Sequence, residues 1–383
     1  RTRRVHYISG FDPRGVRHYH QLYKGEAARQ EPHLGTRLNV GARKNLGRKV
    51  GAWDISARWE DRMVATEYQF MGWDDLVRQH WDSSLWQLFR RSVPVYLKYV
   101  LLGGFNRVSE VSRGAFYTSV FPVFFLLILL VLIVGGGGLA LAGIIHFGGN
   151  PLLGGAAVLA LAAGIFLAGM RWGEKLGVLW ILRTCVFVVT AGTRFLPELK
   201  KRTDQMAETI LREQAARPVD EVLIVGHSIG TILAVSVVAR MLEQSELPVS
   251  PRFKFLTLGQ CIPYVSVMPT AQSLRRELGV LARDPRIPWI DVTSPPDPLC
   301  FYQVDPIRVS GVATEFNDRP KRLVLRVFKM FTAGAYSRLR LNKLRLHFQY
   351  LMASELASAY DYFRITAGPA PLEKSVSGMS GAG

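Results

Sequence analysis

Apolar residues in the second half of the chain alternate between short runs and helical spacing. Runs at "VLIVG" (222–226), "FKFLTLG" (253–259) and "WIDVT" (289–293) predict strands, while residues 231–244 and 271–282 repeat apolar positions at the period of a helix. Strands that alternate with helices predict a mostly parallel sheet with helices on both faces. The predicted fold class is therefore α/β.

The first hundred residues show a more mixed pattern. Val5–Ile8 predict a short strand that breaks into a loop, and residues 16–31 predict a helix. Residues 37–73 predict strands around a turn at Asn45–Gly47, and residues 74–100 predict an amphipathic helix. These elements extend the same α/β unit.

Residues 114–170 contain no Lys, Arg, Asp or Glu. One crossing of a bilayer takes about 20 apolar residues, so this block fits two transmembrane helices, at 119–146 and 152–170. The turn between them is predicted at "FGGNP", residues 147–151; a turn at Gly135–Gly138 is the alternative.

A third apolar stretch, residues 176–192, carries Arg183 near its middle, and a charge there is costly within a membrane. We expect an interfacial or buried helix, because three crossings would separate the first strand from the later ones. The expected organisation has five segments: the N-terminal part of the core (1–110), a transmembrane hairpin (111–172), a connecting helix (173–218), the α/β core (219–368) and a disordered tail (369–383).

The formal net charge of +18 admits partners of two kinds, nucleic acid and anionic lipid. The apolar block favours lipid, so no nucleic acid is expected. Basic residues flank the block on both sides, at Lys98, Arg107, Arg113, Arg171, Lys175 and Arg183. Segments rich in Lys and Arg next to transmembrane helices usually lie on the cytoplasmic side of the membrane. We therefore expect an integral protein of the bacterial inner membrane, with its soluble part in the cytoplasm.

Metal and cofactor chemistry has little support in the sequence. The three cysteines, Cys185, Cys261 and Cys300, lack metal-ligand spacing, and His18 and His20 lack a third ligand nearby. We expect neither a metal nor a cofactor, and no oligomeric state is predicted.

The segment "IVGHSIG" carries the most specific chemistry. It places Ser228 between Gly226 and Gly230, after a predicted strand and before a predicted helix. A serine on such a strand-turn-helix elbow is exposed for nucleophilic attack, and the glycines let strand and helix approach closely. The alternative is a serine that only caps a helix. His227 is expected to pack or hydrogen-bond beside the serine.

With this motif the chain resembles the α/β-hydrolase superfamily of serine esterases and lipases, over residues 1–15 and 219–365. The resemblance implies the order nucleophile, acid, histidine. His347 is the one histidine after Ser228, and its alternative is a half-buried helical side chain. Asp297 is the preferred acid, followed by Asp291 and then Asp305.

The resemblance also implies an oxyanion hole. One donor would be the backbone amide of Ile229, and the other the amide of Gly10 or Phe11 in the loop "ISGFDPRG". This loop lacks the His-Gly pattern of lipases and carries Asp12 and Arg14, which are expected to brace it.

The expected function is a membrane-anchored serine hydrolase that cleaves lipid-like acyl esters or thioesters through an acyl-enzyme on Ser228. Its expected partners are that substrate and a bilayer with anionic lipids. Two alternatives remain open at this point: an acyltransferase on the same triad, and a non-catalytic membrane scaffold with a hydrolase-like fold.

Overall fold

The computed structural model describes residues 1–82, 84–194, 196–244, 252–313 and 319–381. The chain divides into two compact units: unit 1 is Arg1–Ala115 with Val186–Gly383, and unit 2 is Phe116–Cys185. The strands are β1 (Thr2–Ile8), β2 (Leu38–Val40), β3 (Lys44–Gly47), β4 (Val50–Trp59), β5 (Arg62–Met71), β6 (Glu221–His227), β7 (Phe253–Leu258), β8 (Trp289–Thr293) and β9 (Lys321–Val324).

Helices connect and cover these strands. They are α1 (Gly15–Leu34), α2 (Asp74–His80), α3 (Leu85–Leu101), α4 (Gly104–Val111), α5 (Arg113–His146), α6 (Pro151–Lys175), α7 (Val178–Thr193), α8 (Pro197–Ala216), α9 (Gly230–Glu243), α10 (Pro263–Ser266), α11 (Gln272–Arg283), α12 (Pro306–Val309), α13 (Ala333–Leu339), α14 (Lys343–Phe348), α15 (Tyr362–Ala367) and α16 (Leu372–Ser375). Short 3₁₀ helices lie at Val327–Lys329 and Gln349–Leu351.

All of the strands join one sheet, in the order β2-β4-β5-β1-β6-β7-β8-β9, with β3 paired to β4. From β5 to β9 every neighbouring pair is parallel, whereas β2, β3 and β5 run antiparallel to β4. The prediction of an α/β fold with a mostly parallel sheet is confirmed.

The centre of the sheet is buried on both faces. Every residue of β6, β7 and β8 is buried, as expected for parallel strands covered by helices on each side. Val5 and Tyr7 of β1 join a hydrophobic core with side chains from β4, β5 and the C-terminal helices. Their burial holds β1 between β5 and β6.

Two local predictions in the N-terminal part were wrong. The hairpin between β3 and β4 turns at Arg48 and Lys49, which both have positive φ, and not at Asn45–Gly47. The amphipathic helix expected over 74–100 is divided into α2 and α3. On α3, large apolar side chains remain exposed, namely Trp86, Val93, Leu97, Val100 and Leu101.

Unit 2 contains α5 from Phe116 onward, α6 and the first half of α7. The break between α5 and α6 falls at residues 147–150, where the Asn150 side chain accepts hydrogen bonds from the first amides of α6. The predicted turn is therefore confirmed, and Gly135–Gly138 lie within α5. Both helices are long and apolar enough to cross a membrane; a third candidate exists only if α7 and α8 count as one bent span.

The C-terminal residues differ from the expected disordered tail. Residues 372–375 form α16, Val376 is buried, and the carbonyl of Ser380 accepts a hydrogen bond from Val324. Ala382 and Gly383 lie outside the described residues.

A buried ion pair fastens this C-terminal segment to the sheet. The guanidinium of Arg3 contacts the carboxylate of Glu221 at 2.6 Å and donates to the carbonyls of Gly368 and Ala370. The other Glu221 oxygen accepts from the Leu372 amide at 2.9 Å. The pair therefore links β1, β6 and the chain after α15.

Removing one partner of this pair should destabilise unit 1. Glu221→Gln leaves the Arg3 charge buried and without its counter-ion, so we expect a loss of about 3 kcal/mol in the free energy of unfolding. Chemical denaturation of the purified protein in detergent measures it. Asp54→Asn, which removes an exposed partner of Lys44, should cost less than about 1 kcal/mol. Equal effects would contradict the assignment.

Candidate active site

Ser228 occupies a strained turn between strand and helix. β6 ends at His227, α9 begins at Gly230, and Ser228 has φ +57°, in the left-handed region. That conformation costs a non-glycine residue about 1 to 2 kcal/mol. The turn is held by hydrogen bonds from the Ser228 amide to the Leu258 carbonyl and from the Thr231 amide to the Ser228 carbonyl, both 3.0 Å. The Ser228 side chain is left half-buried.

The two flanking glycines are required by close packing. A Cβ on Gly226 would lie 2.8 Å from the Cβ of Ala234 in α9, and one on Gly230 would lie 2.2 Å from the carbonyl oxygen of Ser9. Both distances are shorter than real Cβ contacts. The motif therefore folds as the strand-turn-helix elbow that its spacing predicts.

The loop after β1 lies directly against this elbow. A Cβ on Gly10 would approach the Cβ of Ser228 to 2.9 Å and its Oγ to 3.3 Å. Among the described residues, no hydrogen bond uses the backbone amides of Gly10, Phe11 or Ile229. The predicted oxyanion donors are thus near the serine and have unused N–H groups.

Aromatic side chains hold this loop in place. The indole of Trp73 donates to the Ser9 carbonyl at 2.9 Å, and the Phe11 ring stacks on Phe187 with centroids 4.6 Å apart. The expected brace is also present, since Arg14 forms a bidentate pair with buried Asp12, which accepts from the Tyr19 hydroxyl as well. The backbone of the loop is fixed from both sides.

His347 and Asp297 form a buried hydrogen-bonded pair. The Nδ1 atom of His347 lies 2.7 Å from a carboxylate oxygen of Asp297. The same oxygen accepts from the Tyr350 hydroxyl at 3.0 Å, and the other accepts from the Leu299 amide at 3.0 Å. Burial alone would raise the pKa of Asp297, but electrostatic attraction to the His347 imidazole and these hydrogen bonds bring that pKa below its usual value.

The second nitrogen of His347 is unengaged. Its Nε2 is buried and has no hydrogen-bond partner among the described residues, and the Ser228 hydroxyl lies 3.9 Å from the Cys261 thiol. Both residues border the end of β7: Leu258 binds the Ser228 amide, and a Cβ on Gly259 would lie 3.2 Å from the His347 ring. Ser228 and His347 therefore border the same strand end, and no hydrogen bond joins their side chains.

His227 contacts the backbone of His347. Its Nε2 lies 3.0 Å from the His347 carbonyl oxygen, and the two rings are 5.1 Å apart between centroids. Burial, followed by the nearby His347, lowers the pKa of His227 to about 3. His227 is therefore neutral and donates from Nε2, which positions the helix that carries His347.

The other two aspartates lie apart from this pair. Asp291 is buried in β8, accepts from the Thr257 hydroxyl at 2.6 Å, and has a pKa that burial raises to about 7. Asp305 caps α12 by accepting from the Ile307 and Arg308 amides. Neither hydrogen-bonds to His347, so Asp297 is the acid that the fold joins to the histidine.

Several residues around the site were not identified from the sequence. Tyr350 braces Asp297, Trp73 holds the loop after β1, and Cys261 lies beside the serine. Gly259 has φ +56° and no room for a Cβ next to Tyr350. Of these, only Gly259 had a usable signal, because a glycine directly after a predicted strand is typical of a tight turn.

The described residues contain no group of three or more His, Cys, Asp or Glu side chains that could hold a metal ion. Comparison of the chain with protein-family models, with curated proteins and with solved structures gives no match. The chemistry must therefore be argued from the geometry.

Backbone strain at Ser228 can be measured. Ser228→Gly relieves the left-handed conformation whereas Ser228→Ala retains it, so we expect the glycine variant to be more stable by about 1 kcal/mol. Denaturant unfolding of both variants gives the difference. Ser236, within α9, is the matched control, and there Gly should be less stable than Ala by about 1 kcal/mol. A glycine variant at 228 that is less stable than the alanine variant would refute the strain.

Proposed function

We propose that the chain is a membrane-anchored serine hydrolase of the α/β-hydrolase type, which cleaves acyl esters or thioesters of lipid-like substrates. The observation that carries the proposal is the 2.7 Å contact from Asp297 to Nδ1 of His347. Nε2 of His347 has no hydrogen-bond partner among the described residues, and both His347 and the strained Ser228 border the end of β7. A serine needs such an oriented base to become nucleophilic.

In the proposed acylation, the Ser228 Oγ attacks the substrate carbonyl carbon while Nε2 of His347 takes its proton. Asp297 accepts the Nδ1 proton in a hydrogen bond, fixes the tautomer and stabilises the imidazolium. The backbone amide of Ile229 and that of Gly10 or Phe11 donate hydrogen bonds to the negatively charged carbonyl oxygen. Each such donor contributes about 3 kcal/mol to the stabilisation of the transition state in serine hydrolases.

The tetrahedral intermediate then collapses. His347 returns the proton to the leaving alkoxide or thiolate, and an acyl ester remains on Ser228. In deacylation, His347 takes a proton from the water that attacks the ester, and then gives it to Oγ of Ser228 as the acid leaves. The mechanism requires α14 or the serine side chain to move so that the Ser228 to His347 hydrogen bond forms, and such bonds are often long without substrate.

The membrane part of the proposal follows from the sheet. β1 and β6 pair in parallel although α5 and α6 lie between them in sequence. If both helices cross the bilayer, the chain returns to the side that it left, whereas a third crossing would separate β1 from β6. We propose a two-helix anchor with the catalytic unit in the cytoplasm, as the flanking basic residues indicate.

The exposed face of α3 supports a lipid-like substrate. Trp86, Leu97 and Leu101 are exposed on this helix, with Lys98 also in its sequence. An amphipathic helix of this kind lies in the interface between headgroups and acyl chains. An active site tethered there would meet acyl esters of the leaflet at high local concentration.

A fluorophosphonate probe tests the reaction directly, because it phosphonylates only activated serines. We expect one adduct, on the peptide that contains Ser228, which peptide mass spectrometry identifies. Ser228→Ala should abolish it, and Asp297→Asn should slow labelling about 10³-fold or more, because the imidazole loses its orienting partner. Ser236→Ala provides the matched control and should label normally.

The rival functions predict other outcomes. A folded wild-type protein that takes no label would support the scaffold and overturn the proposal, as would a label that persists in Ser228→Ala. If Ser228 is labelled, the products formed from an acyl ester in the presence of added alcohols distinguish a hydrolase from an acyltransferase. A hydrolase releases the free acid, whereas an acyltransferase forms the new ester.

A further inference from the structure

One stretch of unit 1 outside the candidate active site combines strong positive charge with exposed apolar side chains. Residues 326–345, here called the basic segment, contain six Lys and Arg and no Asp or Glu. They include the 3₁₀ helix at Val327–Lys329, helix α13 and the first half of α14. The segment leads directly to His347.

All six cations of the basic segment are exposed: Arg326, Lys329, Arg338, Arg340, Lys343 and Arg345. Within the described part of the chain, none of them forms an ion pair or a side-chain hydrogen bond. Glu355 contacts the segment, but its carboxylate accepts from the amide and hydroxyl of Thr332. The positive field is therefore not neutralised within the fold.

Apolar side chains stand among these charges. Leu341 is 75% exposed and Phe328 is 49% exposed, and Leu356, whose amide donates to the Met330 carbonyl, is exposed beside them. Exposed Leu and Phe between Lys and Arg are typical of surfaces that insert into the headgroup layer of anionic membranes. A nucleic-acid track would need the cations but not these side chains.

We propose that the basic segment is a docking surface for anionic lipid headgroups. Its phosphate-binding cations would lie at the headgroup level and its exposed Leu341 and Phe328 at the acyl boundary. The occupant is a bilayer, because the same chain carries two helices long and apolar enough to cross one. The catalytic unit is thus covalently held near a membrane surface.

The docking has a consequence for the substrate that rests on the proposed function. Helix α14 carries Lys343 and Arg345 together with His347, and Arg14 lies over the ring of the next residue, Phe348, at 5.3 Å. Headgroups bound here would bring the catalytic histidine to the leaflet. The expected substrates are therefore acyl esters of anionic lipids, because binding of their headgroups to the basic segment would place their ester carbonyl groups near His347.

Amide hydrogen exchange of the full-length protein in lipid nanodiscs tests the docking without requiring catalysis. Exchange over residues 326–345 is compared in discs of phosphatidylcholine alone and in discs that contain phosphatidylglycerol. We expect exchange in the anionic discs to be slower by at least about threefold, as contact at a surface requires. Raising the salt concentration should remove the protection, because screening weakens charge contacts.

Two variants of the basic segment and a control variant distinguish binding at this surface from a general effect of the chain's positive charge. Replacing Arg338, Arg340, Lys343 and Arg345 by Gln should abolish the protection, and replacing the three arginines among them by Lys should retain it. The control replaces Lys24, Arg43, Arg58 and Arg62 by Gln. These exposed cations lie toward the opposite edge of the sheet, in a region that also holds Asp54, Glu60 and Asp61, and their removal should leave the protection unchanged.

Other outcomes overturn the proposal. Equal protection in both kinds of disc would mean a contact that does not depend on anionic lipid. Protection in neutral discs on addition of single-stranded RNA, but none from phosphatidylglycerol, would assign the surface to nucleic acid. Because exchange does not depend on Ser228, a failure here is distinguishable from a failure of the proposed hydrolysis, which the fluorophosphonate label reports.

Discussion

The parallel pairing of β1 with β6 is the constraint on which the rest of the structure depends. It joins residues 2–8 to residues 221–227 across more than two hundred positions of sequence, with Ile8 opposite Gly226. That register brings the loop after β1 against the serine turn, and the absence of a Cβ on Gly10 and Gly230 permits the close approach. The same pairing requires an even number of membrane crossings in the chain between the two strands.

Much of this architecture could be predicted because its signals are local. The strand, turn and helix around Ser228 follow from an apolar run, two glycines and helical spacing, and the hairpin between α5 and α6 follows from an uncharged block with Asn150 and Pro151 at its turn. Asp297 could be preferred over Asp291 because it follows a strand instead of lying within one.

What could not be predicted depends on contacts distant in sequence. The C-terminal segment is held in a defined structure by the buried pair of Arg3 and Glu221. Nothing in the sequence distinguishes these two residues from charged residues on the surface. The support that Tyr350 gives Asp297 and that His227 gives His347 arises only when α14 packs against the ends of β6 and β7. Turn positions such as Arg48 and Lys49 depend on strand register, which apolar alternation does not define to one residue.

The electrostatics of the site are consistent with one division of roles. Neutral His227 donates a hydrogen bond and carries no charge that would oppose a protonated His347, while the lowered pKa of Asp297 keeps a negative charge on its other side. The strain at Ser228 persists because packing on both flanks leaves the turn no other conformation.

The most direct measurement is a structure of the full-length protein in lipid nanodiscs after reaction with a fluorophosphonate. The account predicts a covalent bond to Oγ of Ser228, and the His347 Nε2 atom within about 3 Å of that oxygen. It also predicts the phosphonyl oxygen within about 3 Å of the Ile229 amide and that of Gly10 or Phe11. An imidazole that remains remote from the phosphonylated serine, or an adduct on another residue, would contradict it.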